Sequence, residues 1–115
     1  MNYQKSDGIA WVKEIVTDRY GIILAACDRD LLGKVLKFGE IRIEVSERFY
    51  GGKLVNEKEL IVLLEEADVL NLIGEKVVKI AERMGLIHPE AKLFFEDDQG
   101  RKIPHSMMQK FQTYY

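Results

Sequence analysis

Apolar and charged residues alternate most clearly in the segment from Val35 to Val45, where Ile41 and Ile43 stand between charged neighbours. Successive side chains of a strand point to opposite faces of its sheet. The alternation therefore predicts one strand across this segment, with one buried face and one exposed face. Gly39 lies within it and indicates a bulge or a bend.

The residues before this segment also form strand-like runs. Trp11 to Val16 predicts a first strand, and Gly21 to Cys27 follows a short turn. The second run is apolar on both faces, which is typical of a central strand covered on both sides. Asp28 ends that run, and we expect its side chain to cap the short turn that leads to Gly33.

Two later segments have the spacing of amphipathic helices. Each carries apolar residues at positions i, i+3, i+4 and i+7, which share one face of a helix. These residues are Leu60, Leu63, Leu64 and Ala67 in the first helix and Val77, Ile80, Ala81 and Met84 in the second. Asn56 and Glu59 form a variant capping box before the first helix. The second helix begins near Glu75 and stops before Gly85.

Strand-like segments lie between and after these helices. Asp68 to Ile73 is either a short strand, which its β-branched residues favour, or a tight linker. Ala91 to Phe95 with Arg101 to His105 predicts a hairpin. The order of strands, helices and strands again predicts an α+β fold, or a mixed α/β layer. We expect a small, mostly antiparallel or mixed sheet with two main helices packed on it and a C-terminal hairpin.

Size and composition place these elements in one domain. The chain has 115 residues, of which 47% are hydrophobic and 31% charged, so it can bury a core without crosslinks. We expect a single domain over residues 1–115, with its core at about residues 10–106. The apolar tail, Met107 to Tyr115, is expected to dock on the domain or to join copies of the chain into a homo-oligomer.

Charge and cysteine content narrow the class of protein. The net charge of −2 excludes a strongly basic nucleic-acid binder, although a local basic patch stays open. Cys27 is the only cysteine, so no internal disulfide forms. No apolar run resembles a signal peptide or is long enough to span a membrane. The sequence therefore predicts a cytoplasmic protein without a membrane partner.

Cys27 and Asp28, at the end of the predicted central strand, are the first candidates for chemistry. A thiol becomes a nucleophile when its pKa is lowered and a base such as His105 lies next to it. The favoured alternative is structural, with Cys27 packed as a small apolar side chain and Asp28 acting as a cap. Because no ligand spacing joins Cys27 to the histidines, the sequence predicts no metal site, and it indicates no cofactor.

One candidate binding segment combines aromatic rings, glycines and cations: Arg48, Phe49, Tyr50, Gly51, Gly52 and Lys53. Such a segment can stack and neutralise single-stranded RNA, helped by other basic side chains. Those side chains are Lys34, Lys37 and Arg42. The structural alternative is a single helical turn capped by Ser46 and ended by the glycine pair.

A second candidate binding segment lies where the second helix begins. Asn71, Gly74 and Glu75 surround a predicted strand-to-helix turn, and backbone N–H groups at such a turn can bind an anion. The structural alternative is a cap with a close turn, and Glu75 favours it because a carboxylate repels a phosphate.

Several short segments, in order and correctly spaced, carry a resemblance to a known family. They are Ala25–Asp28, Leu31–Lys34, Val45–Gly52, Asn71–Glu75 and Pro104–His105. Over roughly Ala10 to Ser106 the chain resembles the archaeal family catalogued as domain of unknown function 424, and Ser106 fits the small residue that often follows its Pro-His pair. The resemblance implies an archaeal cytosolic protein of about one domain, with no established activity, cofactor or catalytic residue. It suggests association with translation by analogy only.

Three functions therefore stay open. The first is a binding module that contacts RNA or a translation-associated protein through Phe49 to Lys53, and the lack of a catalytic signature favours it. The second is a self-associating protein joined through the tail. The third is a cysteine-dependent enzyme that uses Cys27, Asp28 and His105, which requires these side chains to meet at one cleft.

Overall fold

The computed structural model describes residues 7–110, which form eight strands, three α-helices and one 3-10 turn. The strands are β1 (Ala10–Thr17), β2 (Gly21–Asp28), β3 (Val35–Phe38), β4 (Ile41–Glu44), β5 (Lys53–Val55), β6 (Val69–Ile73), β7 (Leu93–Glu96) and β8 (Lys102–Gln109). The helices are α1 (Glu47–Tyr50), α2 (Glu57–Glu66) and α3 (Glu75–Arg83), and the 3-10 turn is Arg29–Leu31. No helix within residues 7–110 is long and apolar enough to cross a bilayer.

All eight of these strands join one sheet, in the order β4-β3-β7-β8-β6-β2-β1-β5. The central neighbours β2 and β6 are parallel, whereas the other adjacent pairs are antiparallel. A parallel pair needs a crossover connection, and the chain supplies one through β3, β4, α1, β5 and α2. This mixed, mostly antiparallel sheet with two main helices confirms the predicted α+β fold.

Helices α2 and α3 cover one face of the sheet, which we call the helix face. Their predicted apolar stripes pack there against strand residues; Leu63 and Met84 are partly buried and the other stripe residues are buried. Burying one large aliphatic side chain contributes about 1.5–3 kcal/mol, so this layer is a main source of stability. Helix α2 begins with the predicted capping box: Glu59 N donates to Asn56 Oδ1, and Asn56 N donates to Glu59 Oε1, each at 2.9 Å.

The opposite face, which we call the second face, is covered only in part. Helix α1 and the β3–β4 hairpin pack over Ala25, Cys27 and Ile73 in the middle of the sheet. Ser46 caps α1 as predicted, because its side chain accepts a hydrogen bond from Phe49 N.

The prediction of one strand from Val35 to Val45 is wrong. The segment forms β3 and β4 as an antiparallel hairpin, and Ile41 is 60% exposed rather than buried. Gly39 has φ of 60° and Glu40 has a negative φ, which is the pattern of a two-residue hairpin turn of type II′. The glycine reverses the chain instead of bending it, because only glycine adopts this φ without steric cost.

Two parts of the sheet were not predicted. Lys53–Val55 forms the edge strand β5 beside β1, and β8 continues past His105 to Gln109 along β6. Residues 107–109, predicted as the start of the tail, are therefore paired in the sheet, with Met107 opposite Asn71. Residues 111–115, the rest of the predicted tail, lie outside the described residues.

Candidate functional site

Three polar side chains meet on the second face and form what we call the neutral cluster: Tyr50, Asn71 and His105. Tyr50 Oη donates to Asn71 Oδ1 at 2.8 Å, and His105 Nε2 lies 3.2 Å from the same oxygen. An amide oxygen only accepts, so His105 donates through a protonated Nε2. Within residues 7–110 the amide nitrogen of Asn71 makes no hydrogen bond, so a donor is left over on this half-buried side chain.

The fold explains why residues so distant in sequence meet. Asn71 lies in β6, between Ala25 of β2 and Met107 of β8, and its side chain points to the second face. His105 precedes Met107 by two residues in β8, so it points to the same face. Tyr50, at the end of α1, reaches the cluster across β2.

Burial keeps the neutral cluster uncharged. It lowers the pKa of the His105 imidazole below its ordinary value, so the ring is neutral at pH 7. Burial, with Cys27 as a smaller cause, raises the pKa of the Tyr50 hydroxyl. The Phe95 ring packs edge-on against His105, with ring centroids 5.6 Å apart, and helps to exclude water. The cluster is therefore a dipolar site without formal charge.

Apolar side chains surround the neutral cluster where α1 and the hairpin leave the second face uncovered. We call this surface the open face, and it consists of Ile15, Ile23, Phe49, Val69 and Met107. Ile15, Ile23 and Val69 are register neighbours on β1, β2 and β6, Met107 is paired with Asn71, and Phe49 packs on Tyr50. The exposed fractions are 41% for Ile15, 39% for Phe49 and 62% for Met107. Exposed apolar side chains grouped on one face of a sheet are a common feature of interaction sites.

Cys27 is fully buried in the core of the second face. Burial, reinforced by the charge of Asp28, raises the pKa of its thiol to about 12, so the thiol is protonated near neutral pH. Strand β6 separates the strand of Cys27 from that of His105. Within residues 7–110 His105 pairs with Asn71 and Phe95, so the geometry does not bring the cysteine and histidine together.

Asp28 lies on the helix face and acts as a cap for α3 rather than for the turn that follows it. Its carboxylate accepts hydrogen bonds from Lys76 N at 3.0 Å and Val77 N at 2.9 Å, whereas the 3-10 turn receives no side-chain cap. Burial nevertheless raises the pKa of Asp28, and the two N–H donors oppose that effect. Gly74 has φ of 124° and lies so close that a Cβ there would be 2.3 Å from Asp28 Cγ.

The predicted anion site at Asn71, Gly74 and Glu75 is therefore divided between two faces. Asn71 belongs to the second face, whereas Gly74 and Glu75 lead into α3 on the helix face. The carboxylate of Asp28 already occupies the N–H groups that would bind an anion.

The predicted RNA segment is also divided. The Phe49 ring packs edge-on against Tyr50, with ring centroids 4.9 Å apart, and Tyr50 joins the neutral cluster, but a Cβ on Gly52 would lie only 2.4 Å from Val12 O. Gly52 is thus in close contact with the sheet, whereas Gly51 ends α1 and donates its N–H to Glu47 O. The other basic side chains lie elsewhere, around a cavity of about 390 Å³ that also has three carboxylates. Its charged lining residues are Lys34, Lys37, Arg42, Glu96, Asp97 and Asp98.

All three residues of the neutral cluster were candidates in the sequence, but the sequence did not predict that they contact one another. The one signal for it is Asn71 itself, a polar residue in the middle of the apolar strand Val-Leu-Asn-Leu-Ile. A buried amide requires hydrogen-bond partners, yet those partners lie 21 and 34 residues away in sequence.

Fold and site together define a small α+β domain with an uncharged, apolar-rimmed site on one face of its sheet. The chain belongs to the family described as "Protein of unknown function (DUF424)", which it matches over residues 15–103, and this confirms the resemblance found in the sequence. Its fold is similar to that of an uncharacterized conserved protein from Methanopyrus kandleri, solved as a crystal structure. That similarity has a TM-score of 0.65 at 25% identity and covers 92% of this chain and 96% of the other. No curated protein matches the chain.

Proposed function

We propose that this protein is a binding module and that its open face receives an apolar segment of a partner protein. The observation that carries the proposal is the exposed apolar surface of Ile15, Phe49 and Met107 around the neutral cluster. The four strands beneath this surface, β1, β2, β6 and β8, are hydrogen-bonded to one another in the sheet, so the main chain of the site is already ordered. A cytoplasmic location, predicted from the single cysteine, is part of the same proposal.

The chemistry of the open face favours a polypeptide without charges at the point of contact. Burying Met107 and Phe49 against apolar side chains gains about 25 cal/mol for each Å² removed from water. The neutral cluster is cheap to desolvate in comparison with an ion, and the free amide nitrogen of Asn71 can donate to a backbone carbonyl. The cluster itself offers no opposite charge to a charged ligand, and Lys13, which lies on the same face, already donates to Arg48 O.

Photo-crosslinking tests this proposal. We would place p-benzoylphenylalanine at Phe49 of the full chain and, as a matched control, at Val62, an exposed residue of α2. Because the resemblance points by analogy to translation, ribosomal fractions of an archaeal lysate are the first source of partners. The expected result is one discrete adduct from position 49 that Met107→Gln abolishes and Val62→Gln does not affect.

Two results would count against the proposal. Adducts that are equally abundant from positions 49 and 62 would show that the open face has no preference for a partner. An adduct made of two copies of this chain would show that a second copy covers the face, as the self-association hypothesis predicts. Sedimentation of the purified chain identifies self-association, because a complex of two copies would form in the absence of lysate.

A further inference from the structure

The helix face carries a groove that shares no residue with the open face. It lies between α3 and the β7–β8 hairpin and has a volume of about 470 Å³, within the usual range for ligand sites. Val78, Phe94 and Pro104 form its apolar part. We call it the lysine groove, because its charged lining residues are Lys76, Lys79, Lys92, Lys102, Glu75 and Glu82.

Four lysines and two glutamates line this groove, although the whole chain has a net charge of −2. Two of its lysines are already paired, because Lys92 Nζ lies 2.6 Å from Glu82 Oε2 and Lys102 Nζ lies 3.0 Å from Glu96 Oε2. Lys76 and Lys79, in contrast, form no salt bridge with any described residue. Their ammonium groups are therefore available to an anionic ligand.

Basic side chains continue along α3. A second depression, of about 260 Å³, shares Lys76 and Lys79 with the lysine groove and adds Arg83 together with its salt-bridge partner Glu57, whose Oε2 lies 3.6 Å from Arg83 Nη2. The three basic residues are spaced i, i+3 and i+7, so they lie along one side of the helix. Successive cations along a helix suit a ligand with repeated negative charges better than a single small anion.

An exposed aromatic ring distinguishes the lysine groove from a merely basic surface. Phe94 is 46% exposed, and Lys92 Nζ lies 5.8 Å from the centre of its ring. Phe94 stands opposite Pro104 in the hairpin, which fixes the ring at the groove. Aromatic rings beside lysines are how proteins hold unpaired bases and phosphates together, whereas an acidic peptide needs only the lysines.

We propose that the lysine groove binds a single-stranded polynucleotide, with the Lys76 and Lys79 ammonium groups on phosphates and one base stacked on Phe94. The site lies on the face opposite to the proposed protein-binding surface and rests on different residues. RNA and single-stranded DNA share this chemistry, and the experiment separates them.

Fluorescence anisotropy of labelled oligouridine and oligothymidine with the full chain, over a series of salt concentrations, tests the proposal. Affinity should fall with salt, with a log–log slope of about −0.7 for each phosphate contacted. Lys79→Glu should weaken binding about tenfold and flatten the slope by the equivalent of about one contact. Lys58→Glu, the same charge change at an exposed residue of α2, should leave binding within about twofold.

The stacking part of the proposal has its own test. Phe94→Leu should weaken binding about tenfold without changing the salt slope, and Phe94→Tyr should retain wild-type affinity. Circular dichroism confirms that each variant is folded. Equal affinity for the two oligonucleotides would support the shared chemistry, and a preference for oligouridine would identify RNA as the ligand.

Three results would overturn the proposal. Equal losses of oligonucleotide affinity in Lys79→Glu and Lys58→Glu would show that the oligonucleotide is attracted only by the overall charge of the protein. Weaker oligonucleotide binding by Lys53→Glu, together with unchanged binding by Lys79→Glu, would place the site at the segment from Arg48 to Lys53 that was predicted from the sequence. Competition by polyglutamate as effective as that by oligouridine would show a surface for any polyanion.

Discussion

At the scale of single residues, Asp28 shows how one side chain joins two elements that are distant in sequence. Its carboxylate satisfies the Lys76 and Val77 N–H groups of α3, where Gly74 offers no side chain of its own. We expect Asp28→Ala to lower the free energy of unfolding by about 1–3 kcal/mol, because buried donors lose their acceptor. Asp30→Ala, at an exposed neighbour, should change it by less than about 0.5 kcal/mol.

Urea unfolding followed by circular dichroism measures both variants. Equal midpoints for Asp28→Ala and Asp30→Ala would show that the cap contributes nothing to stability. A loss confined to Asp28→Ala would identify the cap as a stabilising contact between β2 and α3.

His105 should make stability depend on pH. Burial lowers its pKa below the ordinary value of 6.5, so below that pH the unfolded chain binds a proton that the folded chain resists. The free energy of unfolding should therefore fall as the pH falls from neutral to about 5. His105→Gln does not titrate and should reduce this dependence, whereas His88→Gln, at an exposed histidine, should keep it.

Urea midpoints across this pH range provide the measurement. A His105→Gln protein with the same pH dependence as the wild type would contradict the assignment of a buried, neutral imidazole. The comparison with His88→Gln is needed because carboxyl groups also titrate near the lower end of the range.

What the sequence could predict for single residues was their local role. Ser46 and Asn56 were predicted as helix caps and are caps, because a cap and its helix are adjacent in the chain. Asp28 was predicted to cap the adjacent turn and instead caps a helix 48 residues later. The sequence pattern contains no information about which distant N–H groups a strand end will face.

At the scale of elements, α1 positions two residues of the site and depends on a close backbone contact. Gly52 follows α1, and a Cβ at this position would lie 2.4 Å from Val12 O. Gly52→Ala must therefore displace α1 from the sheet, and Tyr50 with it. We expect a loss of about 1–3 kcal/mol in the free energy of unfolding, the usual cost of overpacking.

Lys53→Ala is the control for this variant, because Lys53 is exposed on the edge strand β5. Urea unfolding gives the stability, and the yield of the Phe49 adduct reports whether α1 still presents that ring. Wild-type stability in Gly52→Ala would show that α1 can shift without cost, and the contact would then have no structural role.

Elements with a strong local signal were predicted well. The stripes of α2 and α3 pack on the helix face because the 3.6-residue period leaves only one way to hide them. The alternation in Val35–Val45 was ambiguous, because a single long strand and a hairpin of two short strands give the same pattern of apolar and charged residues. The three-residue β5 is too short to have a period at all.

At the scale of the whole molecule, the sheet separates two surfaces of different character. The second face presents apolar side chains around an uncharged cluster, and the helix face presents lysines around an aromatic ring. The sequence could indicate aromatic and basic residues but not this division, because it depends on strand order. A module with two such faces is suited to hold a polynucleotide and a protein at the same time.

The two surfaces should act independently, because substitutions on opposite faces of a sheet share no partners and their effects add. We expect Met107→Gln to leave oligouridine affinity within about twofold of the wild type, and Lys79→Glu to leave the Phe49 adduct unchanged. The double variant should lose both activities by the amounts seen in the single variants. Anisotropy and crosslinking on the same protein preparations, with saturating oligouridine in half of the crosslinking samples, measure this directly. If Met107→Gln weakens oligouridine binding while its unfolding midpoint is that of the wild type, the two faces are coupled through the sheet, and the protein holds its two ligands in turn rather than together.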